Sequence, residues 1–404
     1  MKIRALPAAL LLAVALTACA MTPATPTSTA PAASNQQASN IGTPTGTESA
    51  TTTPTGTPST SPSASGLVKW PDNSKVSHVF YHSLIVDPKR AFAKSNSMRV
   101  GYMQYMVTID EFTKQLEAMY AKGYMLIHPQ RIAAPDANGV MRYTPLYLPK
   151  GKKPLVLSID DVSYYKYMDG AGFASKLILT PEGKVTNTYT DAAGKTHQGA
   201  YDVSTVVDRF VAAHPDFSLE GDKGTIALTG YEGVLGYRSS LSVFGDNAKT
   251  RQEMADAKAV ADAMKADGWK FASHSFGHID MTKRSLAKIK SDTHRWLADV
   301  EPIIGKTPLL IFAFGADIAD YHPYSTKNKK YAYLLSKGFT YFFPIDSGTP
   351  HWEQLTRTSL RQARINIDGI SMQRALDGRR SALHYFFDTK KMLDDQRPMP
   401  TPGV

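Results

Sequence analysis

The chain has 404 residues, of which 42% are hydrophobic and 20% are charged, a balance typical of a globular protein and not of a disordered or fibrous one. Its single cysteine excludes a disulfide scaffold and any cysteine-rich zinc module. Lys and Arg outnumber Asp and Glu by 46 to 36, but no basic run with interleaved aromatic residues occurs, so we expect no nucleic-acid partner.

The N-terminus has the pattern of an export signal. A positively charged start is followed by the apolar stretch Leu6–Leu16, which has the length of a signal-peptide core and is too short to span a bilayer. The stretch ends in the letters LTAC, and these resemble the lipobox of bacterial lipoprotein precursors. The resemblance implies a signal peptide over residues 1–18 and a lipid anchor on Cys19. An ordinary secretory signal is the alternative.

Residues 19–66 consist almost wholly of Thr, Ser, Pro, Ala, Gly, Asn and Gln, with Glu48 as the only charged residue. Such a composition cannot bury enough apolar surface to offset the entropy lost on ordering. The segment is therefore predicted to be a disordered tether, which would hold a domain away from the extracytoplasmic face of the cell membrane.

Residues 67–390 alternate between strand and helix patterns. The predicted strands are Val76–Leu84, Met125–His128, Pro154–Asp160, Thr225–Thr229, Lys270–Ser273, Leu309–Phe314, Thr340–Ile345 and Arg364–Ile367. The predicted helices are one that begins after Thr108 with a capping box, Val203–Ala213, Gln252–Ala266, Lys283–Ile304 and Lys330–Lys337. This alternation predicts an α/β fold with a mostly parallel sheet, and seven or eight strands favour a distorted (β/α) barrel over a doubly wound sheet.

Two stretches fall outside the alternation. Lys176–Gly199 has alternating Thr, Val and Tyr between glycine-containing turns, which predicts an inserted β-hairpin that either shapes a cleft or decorates the surface. Residues 391–404 contain three prolines and are expected to form a flexible tail.

The predicted strand Pro154–Asp160 ends in the pair Asp160-Asp161. Side chains at the carboxyl ends of barrel strands line the mouth of the active site. Adjacent carboxylates point to different sides and can have different roles. On its own, such a pair is equally compatible with a helix cap.

A second polar cluster follows the predicted strand Lys270–Ser273. His274 and His278 are four residues apart, and they can converge on one ion if the backbone becomes helical there. Two histidines and one carboxylate form a ligand set that leaves positions open for water and substrate. The combination predicts a metallohydrolase, whereas the histidine pair alone could be a solvated loop.

These motifs resemble those of the polysaccharide deacetylases, carbohydrate esterase family four. Ser158–Val162 (SIDDV) is similar to that family's TFDDG motif, and His274–His278 (HSFGH) is similar to its His-Ser/Thr-x-x-His motif. Phe312–Ala316 lies where a third motif falls. The resemblance covers about residues 76–370 and extends to an exported bacterial subgroup.

The resemblance implies a distorted (β/α) barrel and a divalent ion, with Zn²⁺ preferred. The implied metal ligands are Asp161, His274 and His278. Asp160 would be the general base, and a backbone N–H near Phe314 and Gly315 would stabilise the oxyanion. The implied substrate is a polysaccharide with N-acetylated sugars.

The sequence departs from the family pattern in three places. Val162 stands where the pattern has the glycine after the two aspartates. Ala313 stands near the place of the arginine that orients the base, so we expect Arg364 or Arg238 to replace it. The histidine that serves as the acid is not at its usual place, and the candidates are His384 and His82.

The residues leave three functions open. The first is a membrane-anchored, metal-dependent deacetylase that removes N-acetyl, or alternatively O-acetyl, groups from an envelope or extracellular polysaccharide. The second is a weakly active or inactive carbohydrate-binding lipoprotein on the same barrel. The third is a glycosidase that pairs Asp160 with another carboxylate and needs no metal.

Overall fold

The computed structural model describes residues 66–320 and 322–404. The predicted signal peptide, Cys19 and nearly all of the predicted tether lie outside these residues and stay predictions. Within the two described ranges, every helix is too short or too polar to traverse a lipid bilayer.

The described chain has seventeen strands, most of them short. They are β1 (Leu67–Lys69), β2 (Ser77–Tyr81), β3 (Tyr124–Leu126), β4 (Ala133–Pro135), β5 (Met141–Tyr143), β6 (Tyr147–Pro149), β7 (Lys153–Asp160), β8 (Ala174–Leu179), β9 (Val185–Thr190), β10 (Thr196–Gly199), β11 (Thr225–Leu228), β12 (Lys270–Ser273), β13 (Leu309–Ile311), β14 (Tyr341–Phe343), β15 (Glu353–Leu355), β16 (Leu360–Gln362) and β17 (Ile365–Asn366).

Eleven α-helices connect or flank these strands in the described residues. They are α1 (Pro88–Ala91), α2 (Arg99–Tyr105), α3 (Ile109–Ala121), α4 (Val203–Ala213), α5 (Leu241–Phe244), α6 (Ala248–Ala266), α7 (Leu286–Asp299), α8 (Glu301–Ile304), α9 (Lys329–Ser336), α10 (Gly369–Leu376) and α11 (Thr389–Met392).

One sheet of ten strands organises the fold. Its order is β15-β16-β14-β13-β12-β11-β7-β2-β17, with β3 paired to the beginning of β7. Neighbours are parallel except for β15 and β16. The continuous run from β16 to β17 pairs first with β14 and then with β2, and Arg364 within it bridges Ile345. The sheet therefore curls back on itself, as a distorted barrel requires.

The hydrophobic pattern of the chain explains this arrangement. Strand β7 is buried over seven of its eight residues, which is typical of a parallel strand covered on both faces. Large side chains such as Trp269, Trp296 and Phe112 are fully buried between the sheet and the helices. Helix α3 begins with the expected capping box, in which Thr108 and Glu111 each accept a hydrogen bond from the other's backbone N–H.

The predicted elements overlap the observed ones with one clear exception. Each predicted strand overlaps a strand of the large sheet. The single helix predicted over Lys283–Ile304 is wrong, because the chain forms two helices, α7 and α8. The proline at position 302 lacks a backbone N–H, so it cannot continue the hydrogen-bond pattern of α7.

The two irregular stretches also differ from expectation. The stretch predicted as a hairpin contains three strands, β8, β9 and β10, which form an antiparallel sheet of their own. The predicted flexible tail, residues 391–404, is instead packed. The Arg397 side chain is fully buried and donates to both carboxylate oxygens of Glu111, at 2.5 and 2.6 Å.

Candidate metal centre

Three potential ligands meet at the carboxyl ends of neighbouring strands. Asp161 follows β7, and both His274 and His278 follow β12. Strand β11 lies between β7 and β12, and the three strands run parallel, so their ends share one side of the sheet. One ligand atom from each of the three residues lies within 4.8 Å of the other two.

Left-handed backbone conformations bring these side chains together. Consecutive residues of an extended strand point to opposite faces, but Asp161 has a φ of 63° and so turns its carboxylate toward the histidines. The histidines converge although the backbone between them is not helical. Instead Ser275 and His278 have φ values of 60° and 49°. Each such position costs on the order of 1–3 kcal/mol, and residues of this kind cluster at functional sites.

A carboxylate on α7 holds the histidine loop in place. Asp292 accepts hydrogen bonds from the backbone N–H groups of Phe276 and Gly277, at 2.7 and 2.9 Å. Burial raises the pKa of Asp292, and these hydrogen bonds oppose the rise. The loop between the two histidines is thus fixed from a neighbouring helix, a role that sequence reasoning missed.

The hydrogen bond of His274 fixes which of its ring nitrogens is free. Its Nδ1 lies 2.9 Å from the carbonyl oxygen of Ile311, and because a carbonyl oxygen only accepts, Nδ1 carries the proton. Nε2 of the buried ring is then an acceptor available to a metal ion. Burial lowers the pKa of His278, although the charge of Asp161 opposes this. Neutral imidazole is the form that binds metal.

The Asp161 carboxylate has a different partner for each oxygen. Its Oδ1 accepts a hydrogen bond from the Tyr165 hydroxyl at 2.5 Å, and its Oδ2 lies 3.6 Å from Nε2 of His278. The Tyr165 oxygen also lies 2.7 Å from the Thr229 hydroxyl. Burial would raise the pKa of Asp161, but the charges of His278 and His274 outweigh it, and the net pKa shift is downward.

Asp160 is held by an arginine that comes from the far end of the sequence. Arg364 donates from Nη1 and Nη2 to the two carboxylate oxygens, at 2.7 and 3.0 Å, and both residues are buried. The guanidinium lies 4.0 Å from the ring centre of Phe80. Burial would raise the pKa of Asp160, but the charges of Arg364 and His274 outweigh it and lower the pKa to about 2.

The other candidate for the missing arginine has a different role. Arg238 donates to the backbone carbonyls of Tyr164 and Glu232, at 2.8 and 2.9 Å. It therefore fixes the loop that follows the two aspartates and does not bind Asp160. Ala313 is buried and supplies no polar group.

The two candidate acids lie in different places. His82 comes directly after β2, and its charge contributes to the pKa values of Asp160, Asp161 and Asp368. The backbone carbonyl of His384 accepts a hydrogen bond from Lys122, which precedes β3 at the amino end of the sheet. The structure thus brings His82 to the site and places His384 at the opposite end.

Phe314 and Gly315, the segment predicted to stabilise the oxyanion, border the site, but the N–H of Gly315 already has a partner. The ring of Phe314 packs against His278 with 4.3 Å between ring centres, and 53% of Phe314 remains exposed. The N–H of Gly315 is already used within the turn, since it donates to the carbonyl of Phe312 at 3.0 Å. The N–H of Gly315 is therefore not free to donate a hydrogen bond to an oxyanion.

The donor set fits a divalent transition-metal ion. Two imidazole nitrogens and one carboxylate oxygen are the ligands of a catalytic zinc site, which keeps a position open for water or substrate. The hydrogen bond to Ile311 orients His274, and the one from Tyr165 orients Asp161. Such hydrogen bonds fix the direction in which a ligand atom faces an ion.

The comparisons with known proteins give a distant structural similarity. No family model and no curated protein matches the chain. The chain is similar to a Streptococcus pyogenes deacetylase, PplD, solved in complex with acetate, at a TM-score of 0.36 and 17% sequence identity. The match covers 74% of this chain and 92% of that one.

Proposed function

We propose that this chain is a metal-dependent deacetylase that hydrolyses N-acetyl groups, or alternatively O-acetyl groups, of a polysaccharide in the cell envelope. The observation that supports it best is the convergence of Asp161, His274 and His278 beside a second carboxylate, Asp160, that Arg364 keeps ionised. Ligand set and base are the two parts that metal-assisted amide hydrolysis needs.

The residues of the chain divide the chemistry between them. A divalent ion, with Zn²⁺ preferred, would polarise the acetyl carbonyl and make the attacking water more acidic. Asp160 takes up the proton of that water, and with a pKa of about 2 it is a carboxylate at neutral pH. The two hydrogen bonds from Arg364 hold its oxygens in one orientation, with Oδ2 3.8 Å from Nε2 of His274.

The leaving amine needs a proton, and His82 is the residue placed to give it. It lies close enough to Asp160 and Asp161 to influence the pKa of both. Asp368 is a third carboxylate near His82, whose charge opposes the rise that burial causes in the pKa of Asp368. His82 would therefore act as the general acid.

Exposed aromatic rings support a sugar as the substrate. Phe314 is 53% exposed against His278, and Tyr167 is 47% exposed and stacked on Tyr165. Aromatic faces beside a few polar groups are typical of ligand sites. A polymer substrate also agrees with the predicted export signal, the lipid anchor on Cys19 and the tether, which together would place the domain outside the membrane.

Two substitutions test the proposal on the purified full-length chain. Asp161→Ala removes a ligand, so we expect elemental analysis to show loss of bound metal and assays on N-acetylhexosamine oligomers to show loss of acetate release. Asp160→Asn keeps the three ligands, so we expect metal content to persist while acetate release falls by about 100-fold or more.

The opposite results identify the alternatives. Unchanged metal content and acetate release in Asp161→Ala would refute a metal centre at this site. Glycan binding by the metal-loaded chain without any acetate release would favour a binding protein. New reducing ends that persist in the presence of a chelator would indicate a glycosidase.

A further inference from the structure

A second cavity lies at the end of the sheet opposite the metal centre. It has a volume of about 560 Å³, and its lining includes Lys270 and Leu309, which are the first residues of β12 and β13. His274 follows β12 at the other end, about 13 Å away at the usual rise per residue. The cavity is therefore separate from the proposed catalytic site, and its size is that of a small-molecule site.

The lining of this cavity is strongly basic. Its cationic side chains are Arg131, Lys265, Lys270 and Lys306. Asp222 is the one carboxylate among the lining residues. Lys265, Lys270 and Lys306 are exposed, so their ammonium groups are accessible to an anion that enters the cavity from solvent.

His128 also lines the cavity and is held there by two hydrogen-bonding partners. It is 6% exposed, its Nε2 lies 2.7 Å from the carbonyl oxygen of Gly268, and its Nδ1 lies 2.9 Å from Oδ1 of Asp222. Asp222 is thus shared between His128 and Arg131, so this one carboxylate already serves two partners in the wall.

Two of the lysines have no acidic partner among the described residues. Lys265 pairs with Asp262 at 2.8 Å, and Arg131 pairs with Asp222 and Glu220. In residues 66–320 and 322–404, no carboxylate lies within salt-bridge distance of Lys270 or Lys306. Both lysines border the same concave space, so an anion that enters it can contact both charges.

A neighbouring cavity extends the basic surface. Its volume is about 490 Å³, and it shares Lys306, Thr307 and Pro308 with the first cavity. It adds Lys337, together with the single carboxylate Glu301. A ligand with several charged groups could thus contact both cavities with Lys306 at their junction.

We propose that this end of the sheet binds a soluble polyvalent anion, with phosphate esters as its chemical class. Ammonium groups bind phosphate oxygens as point charges, and the cavity offers two that lack acidic partners among the described residues. The concave shape suits a discrete charged group. A flat membrane surface would contact the rim and leave the interior empty.

The test measures tripolyphosphate binding by titration calorimetry on the full-length chain. We expect saturable binding that weakens as salt rises, because the Debye length shortens from about 10 Å at 0.1 M to 3 Å at 1 M. The double variant Lys270→Ala/Lys306→Ala should lose affinity by about tenfold or more. Neither lysine belongs to the proposed catalytic site. The fold and the metal content of the double variant should therefore be unchanged.

A matched control separates a site from general charge. Lys195→Ala/Lys390→Ala also removes two positive charges, from exposed positions elsewhere, and should bind tripolyphosphate like the unmodified chain. Equal losses in both double variants would overturn the proposal, and so would the absence of saturable binding. Lysine-dependent binding to phosphatidylglycerol vesicles without tripolyphosphate binding would also overturn it, because the ligand would then be a lipid surface.

Discussion

The two oxygens of the Asp161 carboxylate have separate tasks. Oδ1 accepts the hydrogen bond from Tyr165, and Oδ2 faces His278. The Tyr165 ring is itself fixed, since it stacks on Tyr231 with 5.1 Å between ring centres and its hydroxyl contacts Thr229. A carboxylate held in this way presents its second oxygen to an ion in one direction.

Removal of the tyrosine hydroxyl should therefore weaken metal binding. In Tyr165→Phe, the carboxylate can rotate and one of its oxygens loses a buried donor. We expect the dissociation constant for Zn²⁺, measured by competition with a chelating dye, to rise about 10- to 100-fold.

Tyr167 provides the matched control for this substitution. Its ring also stacks on Tyr165, with 5.6 Å between ring centres, but its hydroxyl does not bond to the carboxylate. Tyr167→Phe should keep the Zn²⁺ affinity of the unmodified chain. Equal affinity in both variants would show that the hydroxyl of Tyr165 does not position the ligand.

The convergence of Asp161, His274 and His278 could be predicted because Asp161 and His274 directly follow strands, and strands are visible as apolar runs. Arg364 and Asp160 are 204 positions apart, and only the folded sheet brings them together. The sequence alone could therefore not decide whether Arg364 or Arg238 contacts Asp160. Tyr165 lies four residues after Asp161, yet the pattern did not distinguish its bonding role from core packing.

At the level of elements, the edge strand β15 contains a carboxyl group, that of Glu353, whose pKa is unusually high. Burial raises the pKa of Glu353, the Tyr143 hydroxyl opposes the rise and the charge of Asp72 adds to it, and the net pKa is about 7. Between pH 4.5 and 7, the folded state thus holds a proton that the unfolded chain has released. Deprotonation places a charge in the buried edge of the sheet.

The free energy of unfolding should therefore fall as pH rises through this range. The contribution of Glu353 is fully present below pH 4.5 and is lost as pH passes 7, a change on the order of 2 kcal/mol after allowance for solvent screening. Glu353→Gln cannot ionise, so its urea denaturation curves should lack this component between pH 5 and 8. Parallel pH profiles for the two proteins would contradict the assignment.

The elements that escaped prediction are short or lie at edges. Strands β1, β4, β5, β6 and β15 have three residues each, too few to show an alternating pattern. The division of the helix predicted over Lys283–Ile304 was detectable in principle, because a proline stands near its end. The predicted barrel strands were all long enough or apolar enough to be recognised.

At the scale of the whole molecule, the C-terminal tail is bound to the domain by a buried ion pair. Glu111 and Arg397 are separated by 286 positions, and both side chains are fully buried. Arg397 also donates to the backbone carbonyls of Met103 and Met106. The proline content predicted a flexible tail. Instead, Arg397 donates to four buried acceptors and so holds the tail against the domain.

Deletion of residues 391–404 should strongly destabilise the fold. It leaves the Glu111 carboxylate buried without its partner, which typically costs about 3–5 kcal/mol. The free energy of unfolding in urea measures the loss, and deletion of residues 403–404 alone is the control. Adding Glu111→Gln to the longer deletion should recover part of the stability, and an unchanged denaturation midpoint after the longer deletion would refute the role of the pair.

The run from β16 to β17 joins β14 to β2, and Arg364 lies within it. The guanidinium that orients Asp160 is thus supplied by the last segment of the sheet to leave the ribosome. Asp161, His274 and His278 all precede this segment, so under the proposed function a nascent chain that stops short of it would have the metal ligands but not the guanidinium that orients Asp160. If the chain is exported unfolded, the proposed hydrolysis would begin only after this segment has been inserted into the sheet.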